Sequence, residues 1–313
     1  MLRVIRNRLL QAIPTLLVVA TLTFLLIQLV PGNPANFMLG PGATLAQVHY
    51  IDKQLGLNLP IYTQYWNWLS GVLGGHLGTS YVGHTSVGVT LDHAVPATMS
   101  LAVLATVFAL VVGFTGGIIA ALRGGIVDRL IRFTASLGLG VPNFWLAVLL
   151  VYVFAVKLAL LPATGYTSFT QSPKAWILGL ILPVLALTVN NTAQIMFQAR
   201  NSVLEVLSRD FVRTLQATGL SRRRIILRHI VRNAAIPVIT VAGFVFVVTL
   251  GGVVVIELIF NILGIGQVFL TAVNEHDVPT VQGAILYFTL AVVLVNLGVD
   301  LIVAWIDPRT RVR

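Results

Sequence analysis

The sequence RNSVLEVLSRDFVRTLQATGLSRRRIILRHIVR, from Arg200 to Arg232, decides the fold class because it separates two long apolar segments. It contains eight arginines and only two acidic residues, Glu205 and Asp210. The stretch is too polar to lie in a bilayer, yet its apolar residues recur at the spacing of helices rather than of a disordered tail. A basic loop with helical patterning between membrane segments is typical of a docking element for a soluble partner.

The composition of the whole chain is that of a membrane protein. Of its 313 residues, 57% are hydrophobic and 10% are charged, and the mean hydropathy is +0.92. A water-soluble domain would not tolerate this composition at its surface. Cysteine is absent, which excludes disulfides, a thiol nucleophile and cysteine-ligated metal. The net charge of +10 would suit nucleic acid in a soluble protein, but here we expect it to reflect membrane topology, with no nucleic-acid partner.

Six segments are apolar enough to cross a bilayer, which takes about 20 residues in a helix. We therefore predict an all-α integral membrane protein with six transmembrane helices: Leu9–Val30, Ala97–Leu122, Phe133–Leu160, Ala175–Gln198, Ala234–Phe260 and Gly283–Trp305. The first segment follows basic residues, as a signal peptide does, but it is longer than a typical signal core and no cleavage site follows it. We therefore predict that it is a retained helix.

The positive charges lie on alternate connections of this topology. Of the 20 Lys and Arg residues, 17 fall in the N-terminal tail, the loop after the second span, the Arg200–Arg232 stretch and the C-terminal tail. Only Lys53, Lys157 and Lys174 fall on the other side. The positive-inside rule then places both termini in the cytoplasm, in a multi-pass protein that contacts lipid. The segment from Pro31 to Val95 is expected outside.

The chain lacks the motifs of an enzyme. None of its three lysines completes a phosphate-binding loop, and neither His-Glu-x-x-His nor Gly-x-Ser-x-Gly occurs. We therefore expect no catalytic residues, no metal and no cofactor in this chain. Glu257 and Asp300 lie close to the ends of spans. Because a proton relay needs acids near the midplane on several helices, we expect structural rather than ion-coupling roles for both.

Small residues and prolines indicate a packed bundle. Gly113, Gly116 and Gly117 punctuate the second span, and such residues let transmembrane helices approach closely. Pro142 and Asn143 interrupt the third span, which is tolerated where a helix is buried in protein or lines a cavity. Six helices enclose only a narrow space, so a pathway for a sizeable solute is expected to need a second subunit.

The basic stretch itself is predicted to form a helical hairpin. Ser208 and Asp210 suit the start of a first helix. Gly219 suits the left-handed position that stops it. Ser221 can cap a second helix over Arg222–Arg232, after which the chain enters the next span. A surface loop held against anionic lipid is the alternative, but an apolar edge favours a protein partner: Phe211, Leu215, Ala217 and Leu220.

Two segments of this hairpin, Arg213–Ser221 and Arg228–Pro237, resemble the EAA-type coupling loop of ABC importer permeases. The chain is more narrowly similar to the dipeptide/oligopeptide group, and its long outer segment resembles that of the B-type subunit. Further similar segments occur in order along nearly the whole chain: Pro31–Pro34, Leu55–Leu57, Leu77–Ser80, Pro142–Trp145, Leu161–Gly165, Asp277–Gly283 and Val295–Asp300.

This resemblance implies a type I importer permease fold and a definite set of partners. These are a second, C-type permease, two ATP-binding subunits that hold ATP and magnesium, and an extracytoplasmic substrate-binding protein. The implied cargo is dipeptides, oligopeptides or related small solutes such as nickel complexes, glutathione or haem. The residues implied to couple to the ATPase are Arg213, Thr214, Ala217, Gly219, Leu220, Ser221, Arg228, His229, Asn233 and Pro237.

Other interpretations stay open at this point. A secondary transporter would need midplane charges and usually inverted repeats, and a membrane scaffold would not account for the hairpin with its glycine turn. Polar residues in the spans are candidates for the solute pathway, each equally suited to hydrogen bonding across helices: Asn143, Asn190, Asn191 and Glu257. We expect residues 1–96 to form an N-terminal part with the first helix and outer segment. Residues 97–313 would form the core permease domain, with the coupling loop at 200–233.

Overall fold

The computed structural model describes residues 2–29, 32–40 and 42–306. Within these residues all regular secondary structure is helical, apart from one isolated antiparallel bridge between Thr79 and Ser86. Pro31 and three arginines used in the topology prediction lie outside the described residues: Arg309, Arg311 and Arg313.

Thirteen α-helices are described, several of them far longer than a bilayer is thick. They are α1 (Leu2–Gln28), α2 (Pro34–Leu39), α3 (Leu45–Leu55), α4 (Ile61–Leu73), α5 (Val87–Arg123), α6 (Gly125–Gly140), α7 (Asn143–Leu150), α8 (Pro173–Leu207), α9 (Asp210–Ala217), α10 (Arg222–Arg224), α11 (Val231–Phe260), α12 (Ile265–Asn274) and α13 (Val278–Ile306). Two π-helical stretches complete them: Val151–Lys157 continues α7, and Ile225–Ile230 joins α10 to α11.

Five helical segments are long and apolar enough to cross a membrane: Ile5–Gln28, Val87–Arg123, Pro173–Leu207, Arg222–Phe260 and Val278–Ile306. They confirm five of the six predicted spans. The remaining predicted span, Phe133–Leu160, corresponds to α6 and the α7 helix, which are bent by 95° where they meet, at the predicted interruption. The cause is Pro142, which has no N–H to donate and forces Val141 into an extended conformation (φ −90°, ψ 119°).

The first of two compact units comprises Met1–Arg8, Met99–Ile262 and Leu294–Arg313. In it α8 packs against α6, α7 and α11. A Cβ atom at Gly117 would lie 2.6 Å from the Cβ of Ala199. The glycines of the second span therefore bring α5 and α8 into backbone contact, as predicted from their spacing.

The second unit comprises Leu9–Thr98 and Leu263–Val293. Here α3 ends at Gly56, whose φ of 69° is the left-handed conformation typical of a helix stop. An aromatic run lies on α4, where the ring of Tyr65 packs edge-on against Phe24 of α1 at a centroid distance of 5.3 Å. The outer segment is thus an ordered helical structure anchored on the first span.

A buried carboxylate, Asp277, fixes a loop within this second unit. It accepts hydrogen bonds from Ser80 Oγ (2.5 Å), from the backbone N–H of Tyr81 (2.9 Å) and from Thr280 Oγ1 (2.6 Å). Burial raises the pKa of Tyr81 to about 12, and the negative charge of Asp277 acts in the same direction. The sequence indicates Asp277 only as part of a family motif, because two of its three partners, Ser80 and Tyr81, lie 197 and 196 positions away.

Candidate functional site

The candidate site is the basic hairpin, Ser208–Ile230, which follows α8. The Oγ of Ser208 donates to the carbonyl of Glu205 at 2.8 Å, so Ser208 closes the end of α8. The prediction that Ser208 starts the next helix is therefore wrong. Instead α9 begins at Asp210, after Arg209 in an extended conformation (φ −72°, ψ 143°). The acidic side chain of Asp210 in the first turn suits the positive end of the helix dipole.

The turn of the hairpin is built on Gly219, as predicted. Its φ is 76°, in the left-handed region that a side chain disfavours. The N–H of Thr218 donates to the carbonyl of Thr214 at 3.0 Å, and the N–H of Gly219 donates to the carbonyl of Gln216 at 3.1 Å. No atom lies within 4 Å of a Cβ built at this glycine. Glycine is therefore needed here for the backbone conformation, and not because a side chain would collide with neighbouring atoms.

The second half of the hairpin differs from the prediction. We expected a separate helix over Arg222–Arg232, with the span entered near Asn233 and Pro237. The structure has one unbroken helical segment from Arg222 to Phe260, 39 residues long. Asn233 donates to the carbonyl of His229 at 2.6 Å, and Pro237 lies inside α11. Transmembrane helices tolerate an internal proline because neighbouring helices and local adjustments satisfy the freed carbonyl groups, so no boundary forms there.

An apolar cluster beneath the hairpin binds it to the rest of the first unit. The cluster consists of Val203, Val206, Val212, Ile225, Ile230 and Ala234, each less than 5% exposed. Leu215 and Leu220 pack against it. The predicted apolar edge therefore serves partly to hold the hairpin in place, and the interpretation that all four of its residues need a partner protein is wrong. Phe211 and Ala217 remain exposed.

The outward surface of the hairpin carries most of the predicted coupling residues. Leu220, His229 and Pro237 are half-buried, and the other seven are exposed: Arg213, Thr214, Ala217, Gly219, Ser221, Arg228 and Asn233. A cavity of about 430 Å³ lies between the hairpin and the ends of α5 and α8, with Leu122, Gln216 and Arg222 in its lining. The hairpin thus presents a basic surface over a partly open space.

An ion pair at the base of the hairpin was missed by the sequence prediction. Arg200 of α8 donates to both carboxylate oxygens of Asp128 on α6, at 2.5 and 2.8 Å. Asp128 is 8% exposed, and Arg132 lies 3.2 Å from it. Arg200 therefore serves to join two helices and is not available as a docking charge. The sequence contains one indication of this ion pair: Asp128 is the lone acid in the basic segment between the second and third spans.

A second ion pair links the two ends of the chain within the first unit. Arg8 contacts Asp300 with Nε at 2.6 Å from a carboxylate oxygen. This contact confirms that Asp300 lies beside an arginine of the N-terminal tail. Glu257, the other acid near a span end, is fully buried in α11.

Two of the four pathway candidates, Asn190 and Asn191, make hydrogen bonds between helices. Asn191 donates to Thr249 Oγ1 at 2.8 Å and both are buried, so this pair joins α8 to α11. The neighbouring Asn190 donates instead to a carbonyl of α6, that of Leu139, at 3.3 Å. Asn143 is half-buried. These contacts are those of polar residues that pack helices together. Among the residues that the structure describes, no group of His, Asp and Glu could hold a metal ion.

The comparisons with known proteins agree with this architecture. Residues 1–102 match the N-terminal family and residues 113–312 the main family of binding-protein-dependent transport system inner membrane components. A peptide transport system permease protein of Brucella abortus is 38% identical over 312 residues, 99% of each chain. A glutathione transport system permease of Salmonella typhimurium is 37% identical over 312 residues, again 99% of each chain.

The fold is shared with a solved transporter structure. A chain of the MetNI methionine ABC transporter, in inward-facing conformations, has a TM-score of 0.53 and 16% identity, with 69% of this chain and 96% of that chain covered. The family match covers the helical core and the hairpin, and the relatives match end to end. The chain therefore belongs to the binding-protein-dependent transport system inner membrane components, the permeases of ABC importers.

Proposed function

We propose that this chain is the peptide-importing B-type permease of an ABC importer and that its basic hairpin docks on the ATP-binding subunits. The observation that carries the proposal is the joining of the hairpin to α11 in one helical segment, Arg222–Phe260. Because no flexible loop separates the hairpin from α11, a displacement of the hairpin is transmitted to α11.

Contacts with α8 also hold the hairpin in place. Its buried cluster packs Val212 and Ile225 against Val203 and Val206 of α8, and Arg200 ties α8 to α6 through Asp128. Packed interfaces switch between discrete arrangements rather than deforming continuously. Closure of two ATPases on ATP would therefore shift the equilibrium between inward-open and outward-open arrangements of the helices by way of the hairpin. ATP and magnesium are held by those partners, because this chain has no phosphate-binding loop.

The arginine distribution supports the orientation of the chain in the membrane. The positive-inside rule places the hairpin and both termini in the cytoplasm, and it leaves residues 31–95 outside, where a substrate-binding protein would deliver its cargo. A second, C-type permease would complete the pathway, since the six spans of one chain enclose only a narrow space. Peptides are the proposed cargo because relatives 38% and 37% identical are named as peptide and glutathione permeases.

Co-purification tests this function. The chain is co-expressed with its neighbouring genes and purified in detergent, and the eluate is assayed for bound ATPase and, after reconstitution, for ATP-driven uptake of a labelled tripeptide. We expect an ATPase and a second permease to co-elute, and Arg213→Glu to reduce the bound ATPase. Arg6→Glu, the same charge change in the N-terminal tail, is the matched control and should leave the complex intact. Elution of the chain alone would contradict the proposal.

A further inference from the structure

A carboxylate on one of the spanning helices has a role that the hairpin does not explain. Asp92 lies in the first part of α5, and its side chain is exposed. The hydroxyl of Tyr287, on α13, donates to Asp92 Oδ1 at 2.6 Å. Both residues belong to the second unit. The hydrogen bond holds one carboxylate oxygen in place and leaves Oδ2 directed to its surroundings.

Asp92 differs from two other carboxylates of the second unit, Asp52 and Asp277. Asp52 accepts two hydrogen bonds from the amide of Asn33, at 3.0 and 3.1 Å, and Asp277 accepts three from its loop. These two are satisfied by the chain itself. Among the described residues, the five ion pairs do not include Asp92, and its hydrogen bonds consist of the one from Tyr287.

The position of Asp92 along α5 places it at the outer mouth of the membrane. From Asp92 to Arg123, the last residue of the helix, a rise of about 1.5 Å per residue gives roughly 46 Å. The hydrocarbon core is about 30 Å thick. With Arg123 at the inner surface, as the positive-inside rule places it, Asp92 lies beyond the hydrocarbon on the outer side. A carboxylate there stays charged in water and can bind a cationic group of a solute that approaches the outer face.

We propose that Asp92 and Tyr287 form an acceptor site for the N-terminal ammonium group of the peptide cargo as it enters from outside. An ammonium carries three N–H donors, and the free carboxylate oxygen and the phenolic oxygen are two acceptors held side by side. The inference rests on the proposed function, because it assumes a peptide substrate. It adds a named contact between the permease and a chemical group that every unblocked peptide carries.

The contact is charge-assisted, which sets the size of the effect. Hydrogen bonds to charged groups are worth about twice neutral ones. Removing the charge with Asp92→Asn should therefore lower the uptake rate of a free peptide at low concentration by about tenfold. Tyr287→Phe leaves the carboxylate but frees its orientation, so we expect a smaller loss in the same direction. Asp92→Glu should restore part of the uptake that Asp92→Asn loses.

The test uses the complete importer in proteoliposomes with its binding protein and internal ATP. Labelled trialanine and N-acetylated trialanine are supplied separately to the wild type and to each variant. Glu275→Gln is the matched control, because Glu275 is an exposed acid of the same unit and its loss changes the net charge equally. We expect Asp92→Asn to lose trialanine uptake, Glu275→Gln to keep it, and acetylated trialanine to behave alike in the wild type and Asp92→Asn.

Each contrary result is distinguishable. If the wild type takes up no trialanine with ATP, the proposed peptide function fails and the ammonium site fails with it. If the wild type is active and Asp92→Asn matches Glu275→Gln, the site alone is overturned. If Asp92→Asn loses the second permease during purification, or lowers uptake of both peptides equally, the carboxylate pairs with a cation of the partner subunit and the proposal is wrong.

Discussion

Replacing Gly219 tests whether the shape of the hairpin turn, rather than its surface, transmits the ATPase movement. The backbone at this residue has a φ of 76°. For a residue with a Cβ, the left-handed conformation costs about 1–2 kcal/mol, and a β-branched residue lies at the upper end of that range. Asparagine is enriched several-fold in this region and should cost least.

The magnitude follows from this backbone cost alone, since no atom lies within 4 Å of a Cβ built at Gly219. A cost of about 1 kcal/mol reduces the population of the native turn roughly fivefold, and about 2 kcal/mol reduces it roughly thirtyfold. We therefore expect coupled uptake to fall in the order Gly, Asn, Ala, Val, with Gly219→Val almost inactive. Membrane insertion should stay normal, because the buried cluster beneath the turn is unchanged.

The assay is ATP-driven uptake by the reconstituted importer, normalised to the amount of chain in the membrane. Gly298→Val is the control, because Gly298 lies in α13 without a positive φ and with no atom within 4 Å of a built Cβ. The rank of Gly219→Asn in this order distinguishes a backbone effect from a steric one. Asparagine is larger than alanine, so if Ala outperforms Asn, the loss comes from a crowded docking surface and the backbone explanation is refuted.

Two further predictions concern buried polar contacts. Arg200→Gln leaves Asp128 without its main partner and should destabilise the protein by about 3 kcal/mol. Arg132→Gln removes an exposed partner and should cost less than about 1 kcal/mol. Thermal unfolding in detergent compares the two variants, and equal losses of stability would contradict the assigned roles. Asp277→Ala removes the acceptor of three hydrogen bonds and should speed amide hydrogen exchange at Tyr81. Unchanged exchange there would show that the loop is held by other contacts.

The features that the sequence predicted well are local ones. A span needs only an unbroken apolar run, so α5, α8 and α13 lie where hydropathy places them. The hairpin turn needs only a glycine after a short helix, and Gly219 has the expected left-handed φ. The bend at Pro142 was also visible as an interruption, but its angle of 95° depends on how α6 and α7 pack on α8, which periodicity does not report.

The features that escaped prediction depend on contacts between distant residues. Asp128 and Arg200 are 72 positions apart, and a basic residue in a basic stretch gives no sign that it is paired. Leu215 and Leu220 have the apolar character of a docking edge, yet they pack on the chain's own cluster. Pro237 is equally consistent with a helix start and a helix interior, so the continuity of α11 with the hairpin could not be read from the sequence.

Site-directed cross-linking from Ala217 tests the central claim, that the hairpin contacts an ATP-binding subunit, most directly. The chain contains no cysteine, so Ala217→Cys provides a single attachment point for a photo-activated cross-linker on an exposed residue. Thr170→Cys, exposed in the connection between α7 and α8 that topology places outside, is the control. The account predicts that the ATPase is cross-linked from position 217 and not from position 170. Absence of the ATPase from the position 217 product, or equal capture from both positions, would contradict it.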